Sequence, residues 1–373
     1  MMLASFAPVL MAGAQTAPRM LTLTRDVRFG ATDGSAAELG YPAALAPAPD
    51  GHLVVYDGRD HKIKEYDAKG QFVRALGRSG AGPGEFNDVI AMGWLSDTLW
   101  AADRALQRVT LFPPTNQRDP ITVPIHYSPI AETVSTGTAG AMLRGGLIVA
   151  QGFAQPFWSG PIASPVESPI VRMRRNGTIV DTVATPVVRI VSDIRLSIGA
   201  ITQPFAPPRG SWAPRSDGRG FVVVDVPTPA TRAAFFTIER YDSTGRRVAS
   251  QRYSYIPVPL TNTVRDSAVA IMERAASLKP EVVQKFRAGL YLPPFLPTVN
   301  RALAGNDGSV FVDREWYVEG YPRWDAFNSE GVAVGSIRQP KGLRILYADL
   351  TQLLGVEQDS DGFWWAVRYR VGG

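Results

Sequence analysis

Residues 49–86, PDGHLVVYDGRDHKIKEYDAKGQFVRALGRSGAGPGEF, contain three short strand patterns separated by turns. Short runs rich in β-branched and aromatic residues, bounded by Gly, Pro and Asp, predict β-strands. Pro49-Asp50-Gly51 opens the stretch as a turn, and the Gly/Pro-rich residues 77–86 close it as a crossing. The stretch therefore predicts one antiparallel meander and an exit. Its three strands are expected at residues 53–57, 62–66 and 71–74.

The same unit returns along the chain with gradual loss of its details. The full unit has a polar turn, a strand that ends in Asp, a strand with a cationic start and an aromatic end, and a further turn and strand. Repeats of about 40–50 residues are typical of four-stranded propeller blades. The later copies lie at residues 96–116, 145–180, 217–248, 306–334 and 359–368.

Six units indicate an all-β, six-bladed β-propeller. An additional strand pattern at Met20–Arg25 precedes the first unit, and the last unit lacks its second half. Pairing of the two would close the ring and remove the exposed sheet edges that an open stack would leave. A β-sandwich pair or a β-helix would also contain many short strands, but the three-strand groups with long crossings favour the propeller.

Two motifs resemble a known group of proteins. Leu99–Asp103 with Gln107-Arg108-Val109, and the crossing Gly80–Phe86, resemble NHL-type repeats and the related bacterial exported six-bladed propellers. The similarity is strongest over residues 41–112. It implies a six-bladed propeller. Some similar propellers are calcium-dependent lactonases or other hydrolases, and others only bind a ligand.

An aspartate ends a strand at the same position in four units: Asp57, Asp103, Asp225 and Asp313. Such a ring of carboxylates could bind a metal ion. Repetition in successive units favours a structural role instead, in which each carboxylate accepts backbone N–H groups of its own turn. The glycines of residues 77–84 likewise belong to a crossing between blades, because no Lys-Ser/Thr pair follows them as in a phosphate loop.

Composition excludes several classes of function. The 373 residues are 45% hydrophobic and carry a net charge of +5, with positive and negative residues interspersed. Without a basic run, we expect no nucleic-acid partner. The chain has no Cys, so disulfides, thiolate catalysis and Cys-ligated zinc are excluded.

The N-terminus has the pattern of a secretory signal peptide. Residues 1–11 are apolar, and Ala12-Gly13-Ala14 matches an A-x-A cleavage site, although no Lys or Arg precedes Arg19. We expect a signal peptide at residues 1–14, a single propeller domain at residues 15–373, and a periplasmic or secreted protein. A short disordered tail is the alternative. No later run of about 18 apolar residues predicts a membrane span.

Catalytic motifs are sparse. The three histidines, His52, His61 and His126, have no metal-ligand spacing, and no G-x-S-x-G elbow is present. We therefore expect no cofactor, with Ca²⁺ as the alternative. Calcium prefers carboxylate and amide oxygens. The residues near blade entries that could supply them are Glu38, Asn87, Asp88 and Asn300.

One segment, residues 263–290, breaks the β pattern and predicts a helical hairpin between blades four and five. Thr263-x-x-Asp266 resembles a capping box, Pro280 suits the first turn of a second helix, and Gly289 suits its end. The hairpin could cover one face of the ring, form a lid over the channel mouth, or bind a partner. Its expected apolar stripe consists of Val264, Ala268, Ile271, Met272, Ala275 and Leu278.

The sequence favours an exported binding or scaffolding propeller. We expect it to be a monomer and to bind a small molecule, protein or peptide at one face. The alternative is a metal-dependent (calcium) lactonase or hydrolase with its site at the channel mouth. Candidate ligand-binding residues lie where the chain enters each innermost strand, together with a trio that departs from the repeat. The entry residues are Tyr41, Asn87, Asp88, Trp212, Asn300 and Arg301, and the trio is Arg314, Glu315 and Trp316.

Overall fold

The described part of the chain forms six antiparallel sheets arranged as the blades of a propeller, with two helices between blades four and five. The fold is therefore the six-bladed propeller that the repeats predict. The computed structural model describes residues 19–114, 119–125, 129–131, 134–154, 164–176, 178–190, 194–197, 199–201, 203–205, 210–227, 234–297, 299–314 and 322–373.

Each blade is an antiparallel meander, and its first strand lies innermost except in blade 3, where Val134–Met142 contacts the inner strand of blade 2. The three strands expected in residues 49–86 form as expected, and the inner strand of blade 1 comes just before them. Blade 1 contains Pro42–Pro47, Leu53–Asp57, Lys62–Tyr66 and Phe72–Leu76; blade 2 contains Val89–Leu95, Thr98–Asp103, Arg108–Phe112 and Ile121–Pro124. Blade 3 contains Pro129–Ala131, Val134–Met142, Ile148–Ala154, Ile170–Met173 and Ile179–Ala184; blade 4 contains Ser211–Pro214, Gly220–Asp225, Ala234–Asp242 and Arg247–Tyr255. Blade 5 contains Ala302–Ala304, Val310–Arg314, Arg323–Phe327 and Ala333–Arg338; blade 6 contains Arg344–Ala348, Gln352–Gln358, Trp364–Gly372 and Thr22–Phe29.

The N-terminal strand Thr22–Phe29 completes blade 6 by pairing antiparallel with Trp364–Gly372. The expected pairing of the first strand with the last blade is therefore confirmed. Asp26 strengthens the junction, since its carboxylate accepts hydrogen bonds from Arg368 at 3.0 Å and Arg370 at 2.7 Å. Sequence-distant strands thus share one sheet, and the ring has no open break between its ends.

The interpretation of the sixth unit was wrong by one strand. The turn at residues 359–362 joins the second and third strands of blade 6, because the inner strand is Arg344–Ala348. The turn that corresponds to Asp50-Gly51 is Asp349-Leu350-Thr351, which contains no glycine. Asp349 organises this turn through its carboxylate, which accepts the backbone N–H groups of Thr351 and Gln352 at 2.8 Å each.

The core lies between the blades, where both faces of each sheet are covered by its neighbours. Trp100 and Phe221 belong to one cluster shared by blades 2, 3 and 4. Phe29 and Tyr66 pack edge-to-face between blades 6 and 1, with ring centroids 6.0 Å apart. Burial on both faces explains why the second strand of each blade is a nearly continuous apolar run.

Three short strand pairs lie outside the blades in the described residues. One antiparallel pair joins an insertion within blade 3 to the segment after that blade, a second antiparallel pair lies between blades 3 and 4, and the third is a parallel pair within the crossing from blade 1 to blade 2. They are Ser164–Glu167 with Val187–Ile190, Ile194–Leu196 with Gly199–Ile201, and Arg78–Ser79 with Glu85–Phe86.

The helical hairpin consists of α1 (Asn262–Ala275) and α2 (Pro280–Ala288). Pro280 and Gly289 begin and end α2 as expected, but the cap of α1 is Thr261 rather than Thr263. The Thr261 hydroxyl accepts the backbone N–H of Val264 at 3.3 Å, so the N-cap lies two residues earlier than predicted.

The hairpin packs on the strand pair at residues 194–201 and forms a small core separate from those of the blades. Val269 and Phe286 are buried there against Ile194. The expected stripe was partly wrong, since Ile271 is 58% exposed. A two-stranded pair is narrower than a sheet, so it covers only a small part of the helix surface.

Replacement of Phe29 by Ala tests the closure of the ring. Phe29 is fully buried between blades 6 and 1, and we expect Phe29→Ala to lower the free energy of unfolding by about 3–5 kcal/mol. Thr24→Ala, at an exposed position of the same strand, should change it by less than about 0.5 kcal/mol. Urea denaturation measures both values. Equal, small effects would show that this strand does not complete the sheet.

Candidate functional site

The two faces of the ring differ in what they carry. Because each blade is an antiparallel meander, the chain enters every inner strand on one face, which we call the entry face. The loops between second and third strands lie on this face as well, and so does the connection that contains α1 and α2. The opposite face, which we call the turn face, carries the tight turns between first and second strands.

On the turn face, Ser216 of blade 4 makes hydrogen bonds to blades 2 and 5. The carbonyl of Ser216 in blade 4 accepts the backbone N–H of Trp94 in blade 2 at 2.6 Å, and its hydroxyl donates to Asn306 in blade 5 at 3.1 Å. A Cβ atom at Gly93 would lie 2.1 Å from the Ser216 carbonyl oxygen, so the contact requires glycine. Blades 2 and 4 are not neighbours in the ring, so this turn reaches across its centre.

In blade 1 the aspartate at the end of the second strand ties down the entry to the inner strand. The Asp57 carboxylate accepts the backbone N–H groups of Gly40 at 2.8 Å and Tyr41 at 2.7 Å, and the Lys64 ammonium lies 2.9 Å away. Burial alone would raise the pKa of Asp57, but the hydrogen bonds from Lys64 and the backbone outweigh it and hold the pKa below its usual range. Asp57 therefore carries a structural charge.

Blade 2 repeats this arrangement. Asp103 accepts the backbone N–H groups of Asn87 at 2.7 Å, Asp88 at 3.2 Å and Leu106 at 2.9 Å. Like blade 1, this blade has a register shift near the start of its inner strand. The structural reading of the recurring aspartates is therefore right for these two blades, and the amides they accept come mainly from the preceding crossing rather than from their own turn.

Blades 4 and 5 depart from the arrangement, and their inner strands pair without a register shift. The Asp313 carboxylate faces side chains, with Asn300 Nδ2 at 3.2 Å and Arg301 Nε at 3.8 Å. Burial outweighs these partners and raises the pKa of Asp313. In blade 4, burial and the nearby Glu239 charge raise the pKa of Asp225. The ionised forms of Asp225 and Asp313 are therefore less well stabilised than that of Asp57.

Asn300 and Arg301 are the predicted site residues that the structure brings together. Both enter the inner strand of blade 5 and meet at Asp313. The Arg301 guanidinium also lies over the Trp324 ring, 4.9 Å from its centroid. The Asn300 residue is exposed and Arg301 is half-buried, so both are available to a ligand on the entry face.

Three other predicted entry residues make local contacts. Tyr41 is 51% exposed and stands edge-on to Trp364, with centroids 6.4 Å apart. Asp88 pairs with Arg104 at 2.7 Å, and the backbone of Asn87 is held by Asp103 as described above.

Trp212 packs between blades 3 and 4. Its indole N–H donates to Gln151 Oε1 at 3.0 Å, its ring stands edge-on to Phe221, and a Cβ at Gly140 would lie 2.4 Å from it. These are the contacts of a side chain that packs between two blades.

Arg314 points away from Arg301, into the interface between blades 4 and 5. It pairs with Asp325 at 3.1 Å and lies over the rings of Tyr255 at 5.3 Å and Phe236 at 5.7 Å. Burial lowers its pKa despite Asp325. The other two members of the predicted trio, Glu315 and Trp316, lie outside the described residues.

Three of the four residues named as possible calcium ligands contact other groups of the protein. Glu38 Oε2 accepts the backbone N–H of Gly34 at 2.9 Å, Asp88 pairs with Arg104, and Asn300 donates to Asp313. Throughout the described ranges, no three His, Asp or Glu side chains lie close enough to share a metal ion.

The histidines that the structure describes make structural contacts. His52 Nδ1 lies 2.9 Å from Glu65, and His61 Nδ1 lies 2.9 Å from the Tyr56 hydroxyl. His126 lies outside the described residues. The Gly-rich crossing is also structural, because Arg108 donates to the backbone carbonyls of residues 81, 82 and 85.

Arg344 is the entry residue that the sequence interpretation missed. It begins the inner strand of blade 6, and its guanidinium donates to the Pro42 carbonyl of blade 1. The signal was the strand pattern at residues 344–348 before Asp349. Reading the sixth unit one strand too late hid its inner strand.

Comparison with known proteins supports the fold and nothing finer. No family model matches the chain, and no curated protein matches its sequence. A solved Bacteroides fragilis protein, presumed from its name to be exported, shares 10% identity at a TM-score of 0.50, over 95% of this chain and 96% of that chain. A member of the duf4221 family from Bacteroides vulgatus shares 9% identity at a TM-score of 0.47, over 95% and 99%. Regucalcin, a calcium-binding protein from Agrobacterium tumefaciens, shares 11% identity at a TM-score of 0.40, over 94% and 95%.

None of the helices in the described ranges has the length and apolar character needed to cross a membrane.

Matched substitutions of Asp57 and Asp225 test whether ionisation of these two carboxylates has opposite effects on stability. The lowered pKa of Asp57 means that its stabilisation is present above the unfolded pKa of about 3.9 and is lost as the pH falls below it. We expect Asp57→Asn to cost about 3 kcal/mol of unfolding free energy at neutral pH, because Lys64 loses a buried partner. The cost should shrink in acid.

Asp225→Asn should behave in the opposite way. Its raised pKa means that ionisation destabilises the folded state as the pH rises above about 3.9. The free energy of unfolding of the variant should therefore equal or exceed that of the wild type at neutral pH. In acid the variant should have no such advantage. Denaturant titrations across this pH range measure both variants. A loss of stability at neutral pH equal to that of Asp57→Asn would contradict the distinction.

Proposed function

We propose that the chain is an exported binding propeller that holds its ligand at the entry-face mouth beside blades 5 and 6. The observation that supports this most is the loss, in blade 5, of the backbone partners that satisfy the corresponding aspartates of blades 1 and 2. In their place Asp313 faces Asn300 and Arg301. Buried polar groups cost stability unless they are well paired. Departures from a repeated structural rule are expected where a protein binds or reacts.

The chemistry at this mouth suits binding. Asn300 and Arg301 offer N–H donors, and Asp313 offers an acceptor behind them. A ligand with both donors and acceptors could engage all three, and the partly exposed entry residues leave a path to them. We propose that no metal ion takes part, so the affinity should be insensitive to chelators.

A binding screen with variants tests this role. Small molecules and peptides are tested by thermal shift and calorimetry against the wild type, Asn300→Ala and Arg301→Ala. A ligand of this mouth should bind either variant about tenfold or more weakly, as expected for a lost hydrogen bond to a charged group. Glu330→Ala, at an exposed turn-face residue of the same blade, should bind it as the wild type does.

Two results would contradict this proposal. One is that every ligand found binds Asn300→Ala and Arg301→Ala with unchanged affinity. The other is hydrolysis of a sugar lactone that a chelator abolishes, which would favour the calcium-dependent lactonase instead.

Export and the monomeric state are also proposals. The apolar residues 1–11 and the Ala12-Gly13-Ala14 pattern support export with cleavage before Gln15. A fusion of residues 1–25 to a phosphatase that is active only outside the cytoplasm should give active enzyme. N-terminal sequencing of the exported protein should begin at Gln15. The mature protein should elute from a sizing column with the mass of one copy. An uncleaved, inactive fusion would contradict export, and a dimer mass would contradict the monomer.

A further inference from the structure

Arg301 and Arg344 enter the inner strands of neighbouring blades on the same face. Arg301 precedes the inner strand Ala302–Ala304 of blade 5, and Arg344 begins the inner strand of blade 6. The two strands contact each other side by side around the axis. Burial lowers the pKa of Arg301, and the positive charge of Arg344 lowers it further.

The two positive charges are not matched by nearby negative charge. Asp313 is the only carboxylate within 4.0 Å of either guanidinium among the described residues, and it lies 3.8 Å from Arg301. Arg344 contacts a backbone carbonyl instead of a carboxylate. Its Nε atom is buried and has no hydrogen-bond partner. The pair therefore retains excess positive charge and an unused donor.

The sides of the pair are lined by groups that would not oppose an anion. On one side, Trp324 lies under Arg301 and holds it by a cation–π contact. On the other side, the Arg344 guanidinium donates to the Pro42 carbonyl of blade 1. Nearby Asp57, the carboxylate of blade 1, is neutralised by Lys64.

We infer that the ligand of this mouth is a small oxyanion, whose carboxylate or phosphate group lies between Arg301 and Arg344. This inference rests on the proposed binding function and names the chemical class of its ligand. Guanidinium groups bind such oxygens with paired, charge-assisted hydrogen bonds.

Matched anionic and neutral probes test the inference. Gluconate is compared with glucose, and inorganic phosphate is included as an anion without a carbon skeleton, by calorimetry on the full mature chain. Gluconate should bind at least tenfold more tightly than glucose. Its affinity should fall as added salt shortens the screening length from about 10 Å at 0.1 M to about 3 Å at 1 M.

Variants locate the site. Arg301→Gln and Arg344→Gln should each weaken gluconate binding about ten- to a hundredfold, as expected for lost hydrogen bonds between charged groups. Arg344→Lys keeps the charge but loses the planar donors, so its loss of gluconate affinity should be intermediate. Thermal denaturation should show that this variant is still folded. Arg246→Gln removes the same charge from an exposed turn-face position and should bind as the wild type does.

The outcomes separate this inference from the function on which it rests. Phosphate binding without gluconate binding would support a phosphate ligand, and the reverse would support a carboxylate. A neutral ligand that is lost in Asn300→Ala would preserve the proposed function and overturn the inference. The inference would also be overturned if gluconate and glucose both bound with the same measured affinity, if Arg246→Gln weakened anion binding as much as Arg301→Gln does, or if no anion bound saturably.

Discussion

Pairing of the first strand with the last blade is the constraint on which the structure depends. Thr22–Phe29 and Trp364–Gly372 are far apart in sequence, yet they share one sheet. Asp26 joins them by binding Arg368 and Arg370. Once the ring is closed, six inner strands must converge on one axis, and residues that are distant in sequence meet at its mouth. Arg301 and Arg344 become neighbours in this way.

Within that ring, one repeated interaction both builds the blades and shows where they differ. In blades 1 and 2 an aspartate accepts the backbone N–H groups that enter the inner strand, and Asp57 thereby keeps a low pKa. Without the register shift, blade 5 turns the same carboxylate toward side chains, and burial raises the pKa of Asp313. A single residue type at one repeat position thus has two electrostatic roles, set by local backbone geometry.

Sequence could predict the fold because its signals are local. The turns and alternating strands of residues 49–86 define a blade, and their repetition with a spare first strand defines a closed ring. Prediction from the sequence failed where the position of a residue depended on tertiary contacts. The sixth unit was misaligned because its first turn has no glycine, which concealed Arg344. Arg301 and Arg314 were both predicted to bind a ligand, but packing places Arg314 in the interface between blades 4 and 5.

The most direct test of the central claim is a carbon NMR titration of the aspartate side chains, assigned with Asp57→Asn and Asp313→Asn. We expect Asp57 to titrate below the ordinary aspartate pKa of about 3.9 and Asp313 to titrate above it. That result would show that blade 5 holds its carboxylate in an environment unlike that of the structural repeat. Titration of both residues below 3.9, about the ordinary value, would contradict the claim that blade 5 is specialised.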